Sequence, residues 1–289
     1  MRRTTVTLMW LSLLGVAGCD NEQGLNERRH IHQDDVPAVN RLIRDDLDRG
    51  MSGTQIAAER FARGFLVEDH ERREHEIRGV LRTLRNPQRP QRAIPDLMVT
   101  PVTFIAAVGR DGHVIARDIE PDTMRGYDLA EAVPVVRRAL NEGVSGFALS
   151  RIPSLDPDEP PSVTVVFAAP SRHDGEVVGA IAAGLPLWRI TQQMSRQLQL
   201  NNAERVQRGE LVWALILDGD EQHYHGGFPP DLRELIPNAE LRREGLATSP
   251  GGFTGEVQQY GRWYGYGVLP VPAIGPDVTV ILFRSDPYL

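Results

Sequence analysis

Tyr260, Arg262, Trp263, Tyr264 and Tyr266 make up the most chemically suggestive stretch of the 289-residue chain. Alternate residues of a strand share a face, so Tyr264 and Tyr266 would line one side and Trp263 and Gly265 the other. Tyrosine rings beside the Arg262 guanidinium could grip a carboxylate or stack on a planar ligand; the same run serves equally well as sheet packing. His223 and His225 stand two apart, a spacing that can put two imidazoles on one face of a strand, as some metal sites need. No Asp, Glu or third His is evidently paired with them, which leaves a metal short of ligands. The chain has no Gly-x-Ser-x-Gly elbow, phosphate loop, Gly-x-Gly-x-x-Gly or His-Glu-x-x-His, so no motif points to an enzyme or calls for a cofactor.

The single cysteine, Cys19, offers a different chemistry. Arg2 and Arg3, an apolar stretch over 6–16 and the small residues Ala17 and Gly18 precede it, the layout of an export signal too short to span a membrane. Val16-Ala17-Gly18-Cys19 resembles the lipobox of bacterial lipoproteins. That resemblance implies a signal peptide over 1–18, acylation of the Cys19 thiol and a chain lipid-anchored at the periplasmic face of the cell envelope. Asp20 resembles the inner-membrane retention signal of enterobacterial lipoproteins. A lipid on Cys19 leaves no thiol for a disulfide, a nucleophile or a metal site. All 32 basic residues are arginine, which excludes Schiff-base and phosphate-loop lysines. Loss of Arg2 and Arg3 with the signal takes the formal charge from −7 to −9, against a nucleic-acid partner.

Residues 21–33 are polar and aperiodic, and with Cys19 they read as a tether over 19–33. From 34 the pattern turns helical. Val39, Leu42, Ile43 and Leu47 keep helical spacing, Gly50 and Gly53 interrupt, and Phe61, Phe65, Ile77, Leu81 and Leu84 continue the stripe to Pro87. This predicts an N-terminal helical arm over 34–98 with one break. The apolar run 99–108 ends in Gly109-Arg110-Asp111-Gly112 before the alternating 113–116, a hairpin signal. Residues 129–140 then read as a helix, and 146–150, 163–169 and 177–185 as strands. A Pro- and Asp-rich loop, 153–161, separates the first two of these strands. After a linking helix at 187–207 the order repeats: strands at 211–217 and 222–225, helices at 230–236 and 239–246, strands at 253–259, 263–268 and 278–283. Two β-β-α-β-β-β units, 99–186 and 211–289 joined by 187–210, form an internal repeat. Short links between strands imply antiparallel sheets with helices on one face, an α+β fold.

FIAAVGRDGHVIARD, the helix around GYDLAEAVPVVRRAL, and VTVVFAAPSRHDGEVVGAIAAGLPL resemble the Cache family of extracytoplasmic PAS-like sensor domains. Asp111-Gly112 and Asp174-Gly175 occupy the family's turns, and Pro170 the end of its fourth strand. With LVWALILDGDEQ, GRWYGYGVLPVP and VTVILF added, residues 34–283 resemble a double Cache sensor. The resemblance implies tandem PAS-like modules with a small-molecule cavity between sheet and helices. In the first module it assigns Tyr127, Arg117 and Arg151 to the cavity, where an arginine kept from water needs an anion. Asp128 beside Tyr127 reads equally as a helix cap. In the second module Arg262 and Tyr264 are the candidates. Arg262-Trp263-Tyr264 lacks the spacer of the Arg-x-Trp-Tyr element of amino-acid-binding double Cache domains, so an amino-acid ligand is not implied. The expectation is a lipid-anchored ligand-binding module that signals through a membrane-bound partner, the first module holding the ligand. The alternative is an assembly lipoprotein whose modules are filled.

Overall fold

A computed structural model of the chain describes residues 22–153 and 161–285. Cys19, Asp20 and most of the 153–161 loop lie outside the described residues. The tether expected at 19–33 is helical from Glu22 onward: α1 (Glu22–His30) passes through one wider turn, Ile31–Asp35, into α2 (Val36–Phe61). Buried residues explain the difference. Glu27 and Ile31 are both fully buried against the second sheet, and a polar segment with long-range partners need not stay loose.

Gly50 and Gly53 do not interrupt α2. They are the points where it lies closest to its neighbours: a Cβ on Gly50 would fall 2.4 Å from the Phe167 ring, and one on Gly53 2.7 Å from the Leu97 side chain. Their role is close approach rather than helix breaking. The arm breaks at 62–69 instead, and Asp69 restarts it by accepting a hydrogen bond from Arg72 N at 2.7 Å. There follow α3 (His70–Leu81) and the short α4 (Pro95–Val99), which takes Val99, where the first strand was expected to begin; the strand itself starts at Phe104.

The first sheet comprises β1 (Phe104–Gly109), β2 (Val114–Arg117), β3 (Gly146–Ile152), β4 (Ser162–His173) and β5 (Glu176–Pro186), antiparallel in the order β2-β1-β5-β4-β3. Two helices, α5 (Leu129–Ala132) and α6 (Pro134–Asn141), stand where one was expected. Val133 is extended and Pro134 opens α6, since proline disfavours α geometry in the residue before it. The link to the second module is likewise split at Asn202, into α7 (Leu187–Asn201) and α8 (Ala203–Gln207). The second sheet repeats the first: β6 (Leu211–Asp218), β7 (Glu221–His223), β8 (Phe253–Gln259), β9 (Arg262–Pro270) and β10 (Val278–Ser285), in the order β7-β6-β10-β9-β8. Between β7 and β8 lie α9 (Pro230–Arg233) and α10 (Ala239–Thr248). The architecture is α+β, two tandem PAS-like modules behind a long helical arm.

Strand alternation gives each sheet two buried faces. One apolar core joins α2 and α7 to both sheets through Ile105, Ala107, Val165 and Phe167 of the first and Val212, Ala214, Val280 and Leu282 of the second. The opposite faces form separate cores under α5 and α6 in the first module and beside α9 in the second.

Candidate functional site

In the first module the helix-covered face is lined by small residues, Ala106, Ala168, Ala180 and Ala182, with Phe104 among them. A Cβ on Gly184 would lie 2.1 Å from the Phe104 ring, so the glycine makes room for the ring, which fills that part of the face. Arg117 pairs in register with Ala106 and therefore belongs to this face, at the sheet edge. It is buried, at 1% exposure. Its Nε donates to Ile119 O at 3.2 Å, its Nη2 donates to Pro121 O, and Asp122 lies 3.5 Å away. The counter-charge that its burial requires comes from the protein. Tyr127 is half-buried against the same core, where burial first, then Glu131 and Asp128, raise its pKa and keep the phenol neutral. Asp128 caps α5, accepting from Glu131 N at 2.8 Å.

Arg151 does not join them. Its register partner Val163 belongs to the arm-side core, so Arg151 points away from the helix-covered face. It is exposed and pairs with Glu221 of β7, one of the bonds at 3.2 Å, a contact between the two modules. The structure thus places Arg117 and Tyr127 on the expected side of the first sheet and Arg151 on the other. β-strand parity decides this, and parity is invisible until one residue's face is known.

The second module offers more open chemistry. Trp213, Leu215, Tyr264, Tyr266, Val268, Ile281 and Phe283 share its helix-covered face. His223 and His225 do not sit together. His223 pairs with Ile216, which belongs to the arm-side core, whereas His225 follows the end of β7 and stacks on Trp213, centroids 5.4 Å apart. Trp213 also meets Phe228 at 6.0 Å, Phe228 meets Tyr224 at 5.7 Å, and the Arg233 guanidinium lies 4.1 Å from the Tyr224 centroid. Three donors in this chain of rings are buried without a partner: Trp213 Nε1, His225 Nε2 and Arg233 Nε. His225 Nδ1 accepts from Gly227 N at 3.1 Å, so the neutral ring carries its proton on Nε2. Burial lowers the His225 pKa and favours that neutral form.

Tyr264 lies further along this face, with Ser285 as its register partner. The Arg262 guanidinium sits 5.9 Å from its ring and donates to Gly209 O at 2.6 Å. The aromatic run 260–266 singles out these two residues but not Trp213, Phe228 or Arg233. The missing signal was the loop after β7, whose Tyr224-His225 looked like a continuing strand. Each of these indole, imidazole and guanidinium donors can receive an oxygen acceptor such as a carbonyl or carboxylate.

No family model matches this sequence, and no curated protein matches it. Among solved structures, 93% of the chain aligns with 98% of the sensory domain of the Campylobacter jejuni chemoreceptor Tlp3 with isoleucine bound, at a TM-score of 0.56 and 10% identity. The sensor domain of the V. cholerae histidine kinase DctB matches over 89% of this chain and 96% of its own, with a TM-score of 0.51 and 13% identity. The tandem PAS-like fold is therefore shared with these two sensor domains. Among the described residues no helix is long and apolar enough to cross a membrane.

Proposed function

We propose that this chain is a double Cache type ligand-binding sensor, lipid-anchored through Cys19 at the periplasmic face of the cell envelope. It recognises a small molecule with a carboxylate or carbonyl oxygen and passes occupancy to a membrane-bound partner. Acylation of the only cysteine is the anchoring step that the signal layout calls for. The observation that carries the binding reading is the group of buried donors on the second module's helix-covered face: Trp213 Nε1, His225 Nε2 and Arg233 Nε, none with an acceptor. Native proteins rarely leave such donors unmet, and a bound acceptor would satisfy them. The proposed contacts are Trp213, His225 and Arg233, with Tyr264 and Arg262 beside them. Arg117 and Tyr127 lie in the first module and are not assigned to this ligand.

Signal transfer has a direct route. The back of the same sheet holds α1, which begins three residues after Cys19: a Cβ on Gly265 of β9 would lie 2.9 Å from the Glu27 side chain. A ligand that favours one sheet geometry biases the helix at the anchor only by its differential affinity for the two states. The scaffold reading keeps one supporting observation, the filled helix-covered face of the first module around Phe104 and Gly184.

The test is a thermal-shift screen of small carboxylates, amides and amines with the full chain. A ligand present at about a hundredfold over its dissociation constant adds about 3 kcal/mol of stability. The proposal expects such a stabiliser, with its effect abolished in Trp213→Phe and retained in Arg151→Ala. A stabiliser that acts equally on the Trp213→Phe protein refutes the assigned site, and a screen without hits supports the scaffold reading.

A further inference from the structure

On the opposite side of the first module, a cavity of about 610 Å³ opens between the arm and the β1–β2 hairpin. Its apolar lining is Phe65, Leu66, Val114, Ile115 and Val178, and its polar lining includes His70, Arg73, Arg110, Asp111, His113 and Arg125. The volume is mid-range for a small-ligand site, and the pattern of apolar walls with a few polar groups is that of one.

Charge narrows the ligand class. Three guanidiniums and two imidazoles line the cavity against one carboxylate, Asp111, on a chain whose formal charge is −7. Asp111 is turned to its own hairpin, where its Oδ1 accepts from His113 N at 3.2 Å. Arg125 is compensated by Glu74 at 2.6 Å. Among the described residues no carboxylate forms an ion pair with Arg73 or Arg110, and Arg73 Nε is a buried donor without a partner. His70 and Arg73 lie three apart in the first turn of α3, one face of the helix and its electropositive end. A cationic rim over an apolar floor suits an anion with a hydrocarbon body rather than a bare inorganic ion.

Leu66 makes the same point from the apolar side. It is 44% exposed at the mouth of the cleft, while its neighbour Phe65 is held in place over Gly179, where a Cβ would lie 2.5 Å from the ring. One residue anchors the arm to β5 and the next is left with apolar surface uncovered.

We propose that this cleft is a second ligand site, separate from the Trp213 face, which binds a small amphipathic organic anion. The anionic head is met by Arg73 and Arg110, and the apolar body covers Leu66, Ile115 and Val178. Because Arg73 belongs to the arm and Arg110 to the hairpin, the ligand fastens α3 to the first module.

The experiment is calorimetric titration of the full chain with hexanoate, hexyl phosphate, hexanol and inorganic phosphate. Hexanoate or hexyl phosphate binds, and the tighter of the two identifies the head group. Hexanol, which lacks the anionic head, binds at least about tenfold more weakly, since a hydrogen bond to a charged group is worth that much or more, and inorganic phosphate, which lacks the hydrocarbon body, binds at least about tenfold more weakly because no apolar surface is buried. Arg73→Gln and Arg110→Gln each weaken binding by roughly tenfold on the same basis. Trp213→Phe leaves it unchanged, which separates this site from the one proposed above. Arg110 is exposed in the hairpin turn, so Arg110→Gln reports on the site even if Arg73→Gln perturbs α3. Absence of binding by both hexyl anions, equal binding of hexanol, equal binding of inorganic phosphate, or insensitivity to Arg110→Gln overturns the proposal.

Discussion

Replacing Asp35 with asparagine should remove a large part of the protein's pH dependence of stability. Asp35 lies in the turn between α1 and α2, 2% exposed, and its Oδ2 accepts from Arg284 Nη1 at 2.8 Å. Arg284 is fully buried and shared with Glu27 at 3.1 Å and with Glu210, while Arg205 serves Glu27 and Glu210 but not Asp35. Asp35 is thus the least compensated carboxylate of the group. Burial is the main cause that lifts its pKa from 3.8 to about 6, against the lowering by Arg284. The sign follows from linkage: a carboxyl that holds its proton more tightly when folded stabilises the fold below pH 4, and that stability is lost as pH rises through about 6. The shift of about two units corresponds to about 3 kcal/mol. Asparagine keeps an oxygen acceptor for Arg284 and carries no charge. Urea unfolding of wild type and Asp35→Asn between pH 4 and pH 7.5 should therefore show the variant gaining about 2–3 kcal/mol on wild type across that range. A difference that stays constant with pH would refute the assignment of the burial cost to Asp35.

Asp46 of α2, also raised to about 6 mainly by burial and opposed by its hydrogen bond from Gln193, should behave alike: Asp46→Asn gains roughly 1–3 kcal/mol on wild type between pH 4 and pH 7.5, measured the same way. Gly184→Ala drives a methyl into the Phe104 ring at 2.1 Å and should cost roughly 1–3 kcal/mol by chemical denaturation, with Phe104→Leu recovering part of it. Arg151→Ala removes an exposed ion pair with Glu221 and should change stability by less than about 1 kcal/mol; a larger loss would mean that this bridge holds the modules together. Cys19→Ser should abolish lipid attachment and release or misprocess the chain, which membrane fractionation and mass spectrometry of the N-terminus would detect; unchanged partition would refute the anchor.

The sheets were legible because their signals are local. Asp174 and Tyr260 adopt positive φ (50° each) just before Gly175 and Gly261, and these turns fix the hairpins that the apolar runs enter and leave. The arm was less legible because Gly50 and Gly53 look like breakers until Phe167 and Leu97 are brought against them. The segment before residue 34 reads as solvated from its charges, yet Glu27 finds Arg205 and Arg284 far along the chain. Candidate residues divided in the same way. Tyr264 and Arg262 could be singled out by their run of aromatics. Arg151 reads as a cavity residue, yet its register partner Val163 puts it on the arm side, and Trp213 and His225 meet only because the chain leaves β7 after His223.

Native mass spectrometry of the full chain, purified from its own host alongside Trp213→Phe, Arg151→Ala and Arg110→Gln, tests the sensor reading most directly. The account predicts a small-molecule adduct of one stoichiometric mass on the wild-type and Arg151→Ala proteins, missing from Trp213→Phe. Wild-type protein free of any adduct, or an adduct equally retained by Trp213→Phe and by Arg110→Gln, whose side chain lines the separate cleft, would contradict it.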